Sequence, residues 1–243
     1  MSALTGRIAL VTGAGQRVGQ AIALALGAEG MRVGVHHHAS VDGARKTSAA
    51  LRGLGVDNAT FAADLRDSHA PAALVADVTR HFGGIDLLVN SAAIMRRLPL
   101  DTVTSDDWDE TFAINTRAPF FLSLAAARAM GARGGAIVNI ADHLAHESWP
   151  QLVPHGISKG ALEIITRQLA VQLAPLVRVN AVAPGAVLPP DGWADAARQK
   201  FVDETPLRRL GMPDDVAQAV VYLAAAPYVT GEVLCVDGGR HLR

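Results

Sequence analysis

The sequence predicts an α/β protein: a single doubly wound domain over residues 1–243, with a seven-stranded parallel sheet and helices on both faces. Three observations carry this. Short apolar runs alternate with longer amphipathic ones almost to the end of the chain. A glycine-rich turn joins the first strand pattern to the first helical one, and no linker, composition break or repeat divides the chain.

The elements follow in order. Strand patterns fall at 7–12 (RIALVT), 32–37, 59–63, 85–89, 135–140, 177–183 and 233–236 (VLCV). Helical patterns lie between them at 18–29, 41–54, 69–82, 105–131, 154–174 and 213–225. Gly30, Gly55 and the Gly83-Gly84 pair stand where helices should stop before strands. Segment 186–212 breaks the rhythm with Pro189, Pro190 and Pro206 and only a short helical pattern near 193–203. It leaves the carboxyl end of a strand, where ligands bind in such sheets, so it is expected to form a lid over a substrate.

Half of the residues are hydrophobic and 19% charged, enough for a packed core. A formal net charge of −1 gives no electrostatic case for nucleic acid or an anionic membrane. One cysteine, Cys235, forbids an intrachain disulfide. Neither a cleavable leader nor an apolar run of eighteen residues is seen, so the expectation is a soluble cytoplasmic protein.

The first strand runs into TGAGQRVGQAIA, placing Gly13, Gly15 and Gly19 between strand and helix, with Gln16, Arg17 and Val18 at the turn. Glycines there allow a tight turn that brings backbone N–H groups and a positive helix end against a pyrophosphate. The end of the second strand, VGVHHHAS, lacks the acid that holds a ribose 2′-hydroxyl in NAD enzymes. Arg17, His37, His38 and Ser40 gather instead, which favours NADPH over NAD. Alternation along a strand turns His36 and His38 away from His37, and no Cys, Asp or Glu stands close by, so no metal site is expected.

With these residues the chain resembles the short-chain dehydrogenase/reductase family over nearly its whole length. Thr12, Gly13 and Gly19 match the loop T-G-x-x-x-G-x-G, with Arg17 where its middle glycine falls; Asp64-Leu65 match the pair that meets adenine; and Asn90, Ser91 and Ala92 fall in an element like N-N-A-G beneath the cofactor, with Asn90 kept and two positions changed. Asn115 matches the active-site asparagine, and Pro184-Gly185 with Val187 the turn by the nicotinamide. The resemblance implies a Rossmann fold, a nicotinamide cofactor and a homotetramer paired through helices 105–131 and 154–174. Within the family it is nearest pteridine and dihydromonapterin reductases, which share the loop arginine, the histidine-rich second strand and an aspartate thirteen residues before the catalytic tyrosine. Asp142 fits that aspartate.

Where the family has Tyr-x-x-x-Lys, this chain has His155-Gly156-Ile157-Ser158-Lys159, and its only tyrosines, Tyr222 and Tyr228, lie far downstream. His155 and Lys159 are four apart at a helix start and share a face. Imidazole can donate a proton near neutral pH, and a carboxylate can orient it. Asp142, His155, Lys159 and Asn115 are therefore the expected catalytic set, in an NADPH-dependent reductase of a pterin-like substrate. The alternatives are a general ketone or ketoacyl reductase and a cofactor-binding protein with little turnover. Arg96, Arg97 and Trp193 are further candidates for substrate contact or for ordinary surface and packing roles.

Overall fold

The computed structural model describes residues 2–188 and 193–242. Seven parallel strands run in the order β3-β2-β1-β4-β5-β6-β7. They are β1 (Ile8–Val11), β2 (Arg32–His37), β3 (Asn58–Ala62), β4 (Leu87–Asn90), β5 (Gly135–Ile140), β6 (Val177–Pro184) and β7 (Val233–Val236). All seven lie within two residues of the strands expected from sequence, and β2, β5 and β7 coincide with them.

Burial on both faces explains the continuous apolar strand runs. Along β1, Ala9 and Val11 face a cluster with Ile22, Leu26 and Val220, while Ile8 and Leu10 face a second cluster with Val78, Leu122 and Val179. Helices α1 (Arg17–Ala28), α2 (Val41–Gly53) and α8 (Pro213–Ala225) supply the first cluster. Helices α3 (Ala70–Phe82), α5 (Ala118–Met130) and α6 (Val153–Leu173) supply the second.

The helix expected over 105–131 is interrupted. It consists of α4 (Ser105–Phe112), a π-turn (Ala113–Arg117) and α5, with the Ala118 N–H reaching the Ala113 carbonyl five residues back. Pro119 has no N–H to continue the ordinary ladder, and the widened turn carries Asn115 inward to bond the backbone of Ile94. Hydrophobic periodicity persists through such a turn, which is why the sequence reads as one helix.

The strand order reverses between β1 and β4, and a crevice opens there at the carboxyl ends of the strands. Segment 186–212 crosses this end; its helix α7 (Asp195–Glu204) lies close to the expected 193–203, and residues 189–192 fall outside the described part. Among the described residues no helix is long and apolar enough to cross a membrane.

Candidate active site

The crevice encloses about 450 Å³, a size suited to a small ligand or cofactor fragment. The turn after β1 forms one end. Gly13 takes a left-handed φ of 66°, and a Cβ there would come within 2.9 Å of the Ala92 backbone. At Gly19 a Cβ would stand 2.3 Å from the Gly13 carbonyl, so helix and turn close on each other only without side chains. Helix α1 has neither a side-chain cap nor an acid in its first turn, leaving its positive end open to the crevice. A dinucleotide phosphate fits this cradle.

His36 braces it. Its Nδ1 accepts the Gly13 N–H at 3.2 Å and its Nε2 donates to the Ala63 carbonyl at 3.1 Å. Burial pushes its pKa down to about 4, which keeps the ring neutral as this bonding requires. The three consecutive histidines thus divide their tasks: His36 is a strut, and His37 and His38 line the crevice. Among the described residues no group of three His, Cys, Asp or Glu is placed to hold a metal ion.

Gly15, Gln16, Arg17, Val18, Ser40, Asp64 and Leu65 line the same end of the crevice, and Ser91, Ala92, Pro184, Gly185 and Val187 line it further along. Arg17, itself at a positive φ of 53°, reaches across the mouth to donate to the Leu188 carbonyl at 3.3 Å. Asp64 is held by Arg66 at 2.7 Å, and His38 stands 3.7 Å from it. Hydrogen bonds from Arg66 bring the Asp64 pKa down to about 2.

At the other end, Asp142 caps a short turn after β5, while His155 and Lys159 project from the first turns of α6. All three line the crevice. His155 Nε2 lies 3.2 Å from Asp142 Oδ2, and its Nδ1 lies 3.0 Å from the Ile94 carbonyl. Nε2 thus faces a carboxylate, while Nδ1 faces the Ile94 carbonyl and, at 3.4 Å, the Asn115 amide nitrogen. Burial would raise the Asp142 pKa, but hydrogen bonds from His143 and His155 outweigh it and hold the carboxyl well below the usual range. Lys159 donates to the Ile140 carbonyl at 2.6 Å. Its burial pushes its pKa down to about 8, against the pull of Asp142.

Two expected site residues do not reach the crevice. Asn90 is buried beneath it, bonded to Asn139 at 2.8 Å and to Ser123 and Pro119. Asn115 is fully buried in the π-turn, where it bonds Ile94 and Ser158 and comes within 3.4 Å of His155 Nδ1. The Asn115 amide holds Ile94 and Ser158, while Asn90 donates to its buried neighbours and its Oδ1 has no hydrogen-bond partner among the described residues. Arg96 is paired with Glu110 and Asp107, whereas Arg97 and Trp193 line the crevice.

The structure adds residues that the sequence did not single out. Trp149 and Phe201 line the crevice beside Trp193, with ring centroids 5.6 to 6.5 Å apart. Arg240 lies 4.0 Å from the Phe201 ring centroid and binds Glu147 with two contacts of 2.7 Å. Aromatic residues in an otherwise aliphatic chain were a usable signal. Arg240, near the far end of the chain, had none.

A profile described as enoyl-(acyl carrier protein) reductase matches residues 13–241. The chain belongs to the short-chain dehydrogenase/reductase family. It is 36% identical to versicolorin reductase 1 of Aspergillus parasiticus over 97% of both chains. It is 38% identical to a protein named for ketoacyl reduction in the granaticin polyketide synthase of Streptomyces violaceoruber, over 97% of this chain and 96% of that one. Among solved structures, a blue fluorescent protein from a metagenomic library in complex with NADPH matches with a TM-score of 0.91 at 33% identity over 98% of each chain. A short-chain dehydrogenase/reductase of Serratia marcescens matches with a TM-score of 0.92 at 33% identity over 98% of this chain and 99% of that one. The family expectation holds, with its oxidoreductase chemistry and nicotinamide cofactor. Its narrowing to pteridine reductases is not carried by these relatives, which are named for versicolorin and ketoacyl reduction and favour the ketone alternative.

The buried lysine yields a stability prediction. Folded Lys159 gives up its proton near pH 8, and an unfolded lysine near 10.5. Between these values the unfolded chain binds more protons, so stability rises with pH; below about 8 the cost of burying the ammonium is felt in full. Lys159→Met removes that cost and should therefore be more stable than the parent at pH 7, by up to about 3 kcal/mol. Urea unfolding midpoints should show that gain shrinking as pH approaches 10.5. A difference that does not vary with pH would contradict the assignment.

Proposed function

We propose that the protein is an NADPH-dependent carbonyl reductase acting on a ketone, with Asp142, His155 and Lys159 at its catalytic centre. One observation carries the reading: these three groups share a single crevice with an open glycine-rich helix end suited to a pyrophosphate. The bound nicotinamide supplies hydride, and the chain must supply a proton to the carbonyl oxygen. His155 is the donor: its Nε2–H, resting on Asp142 Oδ2, is shared with the incoming carbonyl oxygen and passes to it as hydride arrives. Asp142 fixes the ring and balances its charge, and Lys159 stands at the family's cofactor-binding lysine position. Asn115 acts at one remove, by holding Ile94 against the ring.

Support for a ketone comes from the names of the relatives and from the aromatic walls Trp149, Trp193 and Phe201. Support for NADPH comes from Arg17, His38 and Ser40 at the end of β2, where the strand itself offers no carboxylate, and from the NADPH-bound structural neighbour. Segment 186–212 serves as the lid, since Val187, Trp193 and Phe201 turn toward the crevice. Exposed apolar residues on α5 and α6, among them Phe121, Ile164 and Val171, support the family tetramer.

NADPH oxidation followed at 340 nm against a panel of aryl ketones, ketoacyl thioesters and dihydropterins tests the assignment. Ketones should turn over fastest, and His155→Ala should lower kcat by about 10²–10⁴-fold. Faster dihydropterin turnover overturns the ketone reading, and unchanged kcat in His155→Ala overturns the donor role. Limited proteolysis should cut less within 186–212 once NADPH is bound; equal cutting removes the lid. Light scattering should give four times the chain mass, and a monomer removes the tetramer.

A further inference from the structure

Asp142 has two imidazole partners, not one. Its Oδ2 faces His155, and its Oδ1 lies 3.1 Å from Nδ1 of the next residue, His143. Oδ1 also accepts the Leu144 N–H at 3.0 Å. The same His143 Nδ1 lies 3.1 Å from the Pro184 carbonyl, at the turn bordering the crevice. A nitrogen facing two acceptors carries its hydrogen: the hydrogen bond goes to the Pro184 carbonyl, and the same N–H stands against the carboxylate at ion-pair distance. The ring is only 8% exposed and wedged edge-on between Trp149 and Phe201. Its Nε2 is buried without a hydrogen-bond partner among the described residues, 3.8 Å from Glu147 Oε2. Glu147 is in turn gripped by Arg240.

We infer that His143 is a positioning residue of the reductase: tied through Nδ1 to the Pro184 carbonyl, it stands against Asp142 Oδ1 so that Oδ2 stays aimed at His155, and the site works as a His143–Asp142–His155 unit. The groups facing this ring are Asp142 and Glu147 from its own segment, the Pro184 carbonyl from β6, and Arg240 behind Glu147; Lys159 acts on it only through Asp142. Burial works against a charge on His143, yet Asp142, the Pro184 carbonyl and Glu147 together raise its pKa above the ordinary imidazole value. A carboxylate with only one partner could swing on its side-chain torsions. Held between His143, the Leu144 N–H and His155, it cannot leave His155 without stripping the Leu144 N–H of its acceptor.

The inference rests on the reductase reading for its kinetic consequence only. The test therefore has an arm without cofactor or substrate: nitrogen-15 NMR of the imidazole N–H groups in the free protein. Parent protein should show a slowly exchanging His155 Nε2–H. His143→Phe fills the space without a donor and should speed exchange of that proton at least tenfold. It should also lower kcat for a ketone roughly ten- to hundredfold, with the KM for NADPH unchanged. His143→Asn places an amide N–H where Nδ1 was and should restore most of both. Circular dichroism confirms that each variant is folded, and Glu147→Gln, which leaves the clamp in place, should behave like the parent in the NMR arm. Unaltered His155 exchange in folded His143→Phe overturns the inference, as does His143→Asn being as impaired as His143→Phe. Correct NMR behaviour with no turnover in the parent would instead count against the reductase assignment.

Discussion

The reactive end of this molecule depends on where one carboxylate is kept. Asp142 is partly buried at the carboxyl end of β5 and stays charged because two imidazoles and a backbone N–H meet its oxygens. An unpaired carboxylate in that position would be neutralised or expelled. Its presence dictates much around it: His155 is oriented by it, His143 is anchored on it, and the buried Lys159 ammonium is made tolerable by it. The imidazole at 155 and the carboxylate at 142 thus stand as one hydrogen-bonded pair, 3.2 Å apart.

The sheet brings this group to its cofactor. Reversal of strand order between β1 and β4 opens a crevice that no apolar side chain fills, and both the glycine turn and the ends of β5 and β6 border it. Phosphate recognition at one end needs only backbone and space, which explains the glycines. His36 shows how closely the loop is tied to the sheet, since its ring carries a loop N–H on one side and a β3-flanking carbonyl on the other. At the opposite end, the aromatic trio and Arg240 build a wall from three distant parts of the chain.

Local chemistry was legible in the sequence; convergence in space was not. Apolar periodicity located the strands because each is buried on both faces, and the glycine spacing located the phosphate turn because only glycine tolerates Gly13 and Gly19 contacts. Asp142, His155 and Lys159 were legible through their spacing across one strand–helix connection. The π-turn escaped because periodicity is insensitive to one widened turn, and the motif that marks Asn115 does not show that its amide bonds Ile94 and Ser158. His143 escaped although adjacent to Asp142, since nothing in a sequence tells which acceptor a buried ring will find. Arg240 lies 93 residues from Glu147, a pairing that only the folded chain creates. The relatives also shifted the substrate reading, for an aspartate before the catalytic position does not by itself select a pterin.

The account stands most directly on the crevice being a nicotinamide nucleotide site with a preference for the 2′-phosphate. Isothermal titration calorimetry of the intact protein with NADPH and with NADH addresses it. One site per chain, with NADPH the tighter ligand, is the result the account predicts. No measurable binding of either nucleotide would contradict it, and tighter binding of NADH would contradict the role given to Arg17, His38 and Ser40.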